Sequence, residues 1–134
     1  TLGFDAIGGG KMAGMMLSAI EEAAGRKGGE YSRYGSDTAK QVYIYGGLDT
    51  SPTVLNRNFG FAWSLGGWLL TPFMQRAGKD VVARMRKRVV DELTTTFASH
   101  YSTTISLADM LDPEQLHAYQ RKGTGQKFLV NPAL

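Results

Sequence analysis

The sequence predicts an α/β fold organised around a parallel sheet, and three observations carry that prediction. The run Gln41-Val42-Tyr43-Ile44-Tyr45 is apolar, β-branched and aromatic, and it stops abruptly at Gly46 and Gly47, the pattern of a strand whose C-terminal end is left bare. An earlier apolar run, residues 2–7, ends in the same way at Gly8, Gly9 and Gly10. Between them, residues 11–24 are dominated by good helix formers. Strand, helix and strand then make one βαβ unit, whose length favours parallel pairing through a right-handed crossover and puts both glycine groups on the same sheet edge. In an open parallel sheet that edge is where ligands sit, because glycines let a cofactor approach the backbone.

Each element follows from its local pattern. Residues 2–7 form a strand that runs into a turn at Gly8 to Gly10. In the helix that follows, Met12, Met15, Met16, Ala19, Ile20 and Ala23 recur at three- and four-residue spacing, an apolar stripe expected to face the sheet as core filler. Residues 25–39 turn polar and glycine-rich and read as a surface loop. After the strand at residues 41–45, Thr50 or Ser51 is placed to cap a short helix with Pro52 at its first position. Residues 59–70 are strongly aromatic and read as a further strand, broken at Gly66 and Gly67. The longest helical pattern spans residues 80–97, with Val82, Met85, Val89, Val90, Leu93 and Phe97 on one side. Residues 100–105 favour a strand, Ser106 to Asp109 a helix cap, Asp112-Pro113 the start of a second short helix, and residues 122–127 a turn. Phe128, Leu129 and Val130 form the last strand.

Composition narrows the function classes. At 134 residues, with 43% hydrophobic and 20% charged side chains, the chain suits one ordered, soluble domain. The net charge is +3, from 15 basic and 12 acidic residues, and much of the basic excess lies in Lys79, Arg84, Arg86, Lys87 and Arg88. Asp91 and Glu92 follow at once, so this reads as a solvated helix face with no nucleic-acid partner. Without cysteine there is neither a disulfide framework nor a thiolate nucleophile, which fits the cytoplasm. No apolar run reaches the roughly 18 residues of a membrane span. The chain starts at Thr1 and enters strand-like sequence immediately, so it reads as part of a longer protein.

Two phosphate-binding patterns compete for the first glycines. Gly10-Lys11 lacks both the upstream glycine of a P-loop and the Ser or Thr that would hold magnesium, since Met12 stands there. Gly8-Gly9-Gly10-Lys11-Met12-Ala13 does match G-x-G-x-x-A, with Glu30 as the candidate ribose ligand. That acid, however, lies in the polar loop rather than at the end of a second strand. His100 and His117 are too few for a zinc site, which needs three or four ligands. Tyr31, Tyr34 and Tyr101 are candidate proton donors that no partner spacing distinguishes.

In order along the chain come Phe4-Asp5-Ala6-Ile7-Gly8-Gly9, then Gln41 to Gly47, the aromatic strand, Tyr119, and Gly125-Gln126-Lys127-Phe128-Leu129-Val130. This order resembles the medium-chain dehydrogenase/reductase superfamily, of the quinone oxidoreductase or zinc-binding alcohol dehydrogenase type. The resemblance implies the second half of a Rossmann-type parallel sheet with flanking helices over residues 1–98. Residues 99–134 would be a strand-helix-strand segment returning to a catalytic domain that, with the glycine fingerprint, lies before Thr1. It further implies a parent enzyme that transfers a hydride from NADPH, or alternatively NADH, to a carbonyl, enone or quinone, the isolated chain being inactive. By matching position, Gly8 and Gly9 would lie near the ribose side, and Tyr45, Gly46, Gly47 and Leu48 would line the nicotinamide. Phe59 and Phe61 would close the pocket, Lys127 would reach the cofactor, and residues 59–70 would pair across a homodimer. No catalytic acid and no metal ligand is carried over. Two other readings stand beside this one: a self-contained dinucleotide-binding module built on Gly8 to Ala13, and a non-catalytic protein that dimerises through residues 59–70.

Overall fold

The computed structural model describes residues 1–28, 32–121 and 126–134. Glu30 and Tyr31, and residues 122–125 of the turn predicted at residues 122–127, with Gly125, lie outside the described residues. Among the described residues the fold is mixed α/β, with small parallel sheets and four helices. It divides into two compact units, Thr1–Ala77 and Gly78–Leu134.

In the first unit, strand β1 (Leu2–Asp5) leads through a bend into β2 (Gly8–Gly10), and helix α1 (Met12–Gly25) follows. Strand β3 (Lys40–Ile44) returns parallel to β1, with Leu2 opposite Gln41 and Asp5 opposite Ile44. Strand β5 (Trp63–Gly67) pairs parallel on the far side of β3, giving the order β1-β3-β5. The βαβ expectation therefore holds in its pairing sense.

The core lies between this sheet and α1. Ala13, Leu17, Val42 and Phe59 are buried together, with Met16, Ile44, Leu55, Trp63 and Leu65 packed around them. The helix face that does this is rotated from the predicted stripe: Met15 is 58% exposed and Ala19 and Ala23 face solvent, while Ala13, Gly14 and Leu17 are buried. Small residues explain the rotation. A Cβ on Gly14 would stand 3.0 Å from the Val54 carbonyl oxygen, so Ala13 and Gly14 allow a backbone approach that methionines would block. On the opposite sheet face Phe4 stacks on Tyr43 at 5.9 Å, and Leu2 and Phe4 stay exposed.

Three segments depart from their predicted forms. Gly8 to Gly10 are not an open turn, and residues 49–53 are not a capped helix. They form β2 and β4 (Asp49–Thr53), paired parallel with Gly8 opposite Asp49 and Gly10 opposite Thr53. The Asp49 carboxylate accepts the Ser51 amide at 2.8 Å, bending the chain locally as an Asx motif rather than capping a helix. Pro52 is tolerated because β4 is an edge strand. The predicted strand at residues 59–70 shrinks to β5, preceded by irregular backbone with Arg57 at φ 61° and Gly60 at φ 67°. It is followed by helix α2 (Leu70–Ala77), whose Pro72 sits in the first turn, where no amide donor is required.

The second unit opens with α3 (Lys79–Asp91). It ends earlier than the predicted residue 97, because the Glu92 carbonyl takes the Thr95 and Phe97 amides in a succession of turns. Thr94, Thr95 and Thr96 have poor helix propensity, and the Thr95 hydroxyl also donates to the Glu92 carbonyl. Val82 and Met85 are partly buried, whereas Val89, Val90, Leu93 and Phe97 are exposed. Strand β6 (Thr103–Ile105) is shorter than predicted and pairs parallel with β7 (Phe128–Val130). Between them lie a 3₁₀ turn (Asp109–Leu111) and α4 (Pro113–Gln120), capped by Asp112 Oδ1, which accepts the Glu114 and Gln115 amides. Tyr119 secures this unit by donating its hydroxyl to the Met110 carbonyl at 2.6 Å and packing edge-on against Phe128. Among the described residues, no helix is long and apolar enough to cross a membrane.

Candidate functional site at the carboxyl ends of the parallel strands

Parallel pairing of β1 and β3 brings Gly8 and Gly46 together, as the shared-edge argument requires. The contact is intimate. A Cβ on Gly46 would lie 1.7 Å from the Ala6 carbonyl oxygen, and one on Gly8 would lie 2.7 Å from the Gly46 carbonyl oxygen. Gly8 in addition has φ 95°, a left-handed conformation that strongly favours glycine. These two glycines are thus explained by backbone packing. Gly9 is explained too, because a Cβ there would meet the Ser51 carbonyl oxygen at 2.6 Å. The strand ends are accordingly not bare at Gly8 and Gly9: the β2–β4 ladder continues directly from them.

Gly47 differs. Nothing stands within 4 Å of where its Cβ would be, and the residue is exposed. Beside it Tyr45 is 51% exposed and Leu48 is partly buried. On the neighbouring strand the ladder continues to Trp68, whose amide donates to the Ile44 carbonyl at 2.8 Å. Trp68 therefore stands at the same sheet end as Tyr45 and Gly47, held against Phe73 at a ring separation of 5.5 Å. The sequence reading absorbed Trp68 into a long strand and missed this placement. The strand register, once known, finds it.

The aromatic lid does not form. Phe59 is wholly buried in the core, edge-on to Trp63 at 5.2 Å, so it cannot line a cofactor pocket. Phe61 is exposed, but it precedes β5 and so lies beyond the amino end of the sheet, where it packs against Tyr34. Tyr45 to Leu48 lie beyond the carboxyl end. Lys127 belongs to the second unit: its ammonium donates to Ser99 Oγ and its backbone pairs with Ser102. That fixes Lys127 beside β6.

The G-x-G-x-x-A pattern folds differently from a dinucleotide fingerprint. Its glycines are spent in the ladder with β4, and Thr53 Oγ1 donates to the Gly8 carbonyl at 2.9 Å. Ala13 is buried, and Gly14 packs on residues 54–56. No group of three or more His, Cys, Asp or Glu side chains that could hold a metal ion occurs among the described residues. A groove of about 330 Å³, lined in part by Thr1, Ala19, Ala23 and Lys27, lies at the amino end of β1 and is remote from these glycines.

The ion pair behind β3 is structural. Lys40 is buried at the first position of β3, and its Nζ donates to Glu21 Oε2 at 2.6 Å, to the Thr38 carbonyl at 2.8 Å and to Ser36 Oγ at 3.3 Å. Burial opposes ionisation of Glu21, yet the hydrogen bonds from Lys40 and Ser36 outweigh it and lower its pKa to about 2. The loop over residues 32–39 is thereby fastened to α1. In comparisons with known proteins, no family model and no curated protein matches the chain.

Proposed function

We propose that this chain is part of a nicotinamide-dependent oxidoreductase, in which β1, β3 and β5 are the second half of a Rossmann-type sheet. Tyr45, Gly47 and Leu48 line the nicotinamide end of NADPH or NADH, and Gly8 and Gly46 set the backbone behind it. The observation that carries this reading is the open, exposed Gly47 at the carboxyl end of a central parallel strand, beside the close backbone contact of Gly8 and Gly46. Open α/β sheets bind ligands at that end. The cofactor supplies the hydride, for a carbonyl, enone or quinone acceptor. The residues here hold the ring, orient one face of it and keep water from the other, which is the protein's share of such chemistry. Phe59 and Phe61 have no part in this assignment.

The test is a titration of the ¹⁵N-labelled chain with NADPH and with NADH, at concentrations up to the millimolar range because half a site binds weakly. Amide shifts confined to Gly8 and residues 45–48 are expected, without turnover. Shifts confined to the amino end of the sheet, or none, would remove the proposal.

A homodimer is the partner reading supported by the strand order. β5 pairs only with β3 among the described residues, which leaves one ladder edge open to a second copy. Light scattering is expected to give twice the chain mass, and a monomer at high concentration would eliminate this pairing.

A further inference from the structure

We propose that Asp5 is a positioning residue for the nucleotide crevice, an inference that rests on the oxidoreductase reading above. Asp5 is fully buried at the end of β1, and it organises both strand ends at once. Its Oδ1 accepts the Ile7 amide at 2.8 Å and the Gly8 amide at 3.2 Å. Its main-chain carbonyl accepts the Tyr45 amide at 2.9 Å and the Gly46 amide at 3.3 Å. One residue therefore ties down four amides, two just past its own strand and two just past the neighbouring strand.

The consequence is geometric. The side chain holds the bend that puts Gly8 at φ 95° against the Gly46 carbonyl, while the main chain holds Tyr45 and Gly46 against Ala6. Gly47 is covalently next. Its position relative to β1 is thus fixed by Asp5, although Asp5 touches no ligand. Displacing a binding group by about 1 Å is enough to cost a hundredfold in a reaction that depends on orientation. Oδ2 is buried and finds no hydrogen-bond partner among the described residues. A half-satisfied buried carboxylate is unfavourable for stability alone, which fits a residue whose role is to position the strand ends.

The experiment compares NADPH affinity with thermal midpoint for Asp5→Ala, Asp5→Asn, Asp5→Ser and the core control Val42→Ala, at a temperature where each is folded. Asp5→Ala leaves the Ile7 and Gly8 amides without an acceptor and is expected to raise Kd at least tenfold. Asp5→Asn keeps the acceptor and should stay within about threefold of wild type. Val42→Ala opens a cavity under α1, away from the strand ends, and should lower the midpoint while leaving Kd within about threefold. If Asp5→Ala does not fold, Asp5→Ser decides the matter: its hydroxyl can serve one amide in an ST turn, and a Kd raised at least threefold is expected. Wild-type affinity in Asp5→Ala or Asp5→Ser, or an equal loss in Val42→Ala, would overturn the positioning role. Absence of NADPH binding by the wild-type chain would instead bring down the oxidoreductase reading itself, and this role with it.

Discussion

Gly46→Ala is expected to destabilise the Thr1–Ala77 unit by about 3 kcal/mol or more, at or above the upper end of ordinary overpacking. The added methyl would stand 1.7 Å from the Ala6 carbonyl oxygen and overlap the Ala6 carbonyl carbon as well. Both are main-chain atoms, so no rotamer change relieves the clash. The bend between β1 and β2 would have to move, and with it the Asp5 hydrogen bonds that hold it. A urea titration read by tryptophan fluorescence measures this through Trp63 and Trp68. Gly66→Ala is the matched control, because its methyl would meet the Tyr43 ring at 3.7 Å and Gln41 Nε2 at 3.8 Å, both ordinary contacts. A Gly46→Ala midpoint equal to that of the control would show that the two strand ends are not in contact.

Lys40→Met carries the second large effect. It removes a cation whose side chain is 0% exposed and leaves the Glu21 carboxylate, 17% exposed, without its counter-charge. Breaking one side of a buried pair costs about 3–5 kcal/mol. Replacing both partners, as Lys40→Met with Glu21→Leu, is expected to recover most of that loss, because the pair's attraction is largely offset by its desolvation. Acid provides an independent reading. The folded pKa of Glu21, about 2, lies below its ordinary value of 4.5, so the unfolded chain binds more protons between them. The Glu21 contribution is therefore complete above about pH 4.5 and is lost as pH falls toward 2. In Lys40→Met this part of the acid dependence should be much reduced. An unchanged acid profile would mean that Lys40 does not hold Glu21 ionised.

The strands that enclose the core were legible because β-branched and aromatic runs bounded by glycine have few other ways to fold. The parallel β1–β3 pairing followed from the length of chain between them. Register and depth were less accessible. A methionine and a leucine at helical spacing look equally apolar, and only the close approach at Ala13 and Gly14 decides that Leu17 is buried and Met15 exposed. Phe59 looked like part of a strand that could reach a ligand. Positive φ at Arg57 and Gly60 turns the chain so that it drops into the core instead.

Glycine was ambiguous for a related reason, since it marks backbone contact, unusual dihedrals and ligand approach alike. Of the four glycines assigned to the site, Gly8, Gly9 and Gly46 prove to be contact glycines, and Gly47 faces open space. Asp5 was the least visible. A lone aspartate at a strand end says nothing about itself until the amides it accepts are known.

The central claim is that the open face at Gly47 receives the nicotinamide, and Gly47→Val tests it most directly. Nothing lies within 4 Å of the Cβ position and the residue is exposed, so stability should change by no more than about 0.5 kcal/mol, as for surface substitutions generally. In the same NADPH titration the account predicts at least a tenfold loss of affinity with an unchanged thermal midpoint. Wild-type affinity in a stably folded Gly47→Val chain would contradict it.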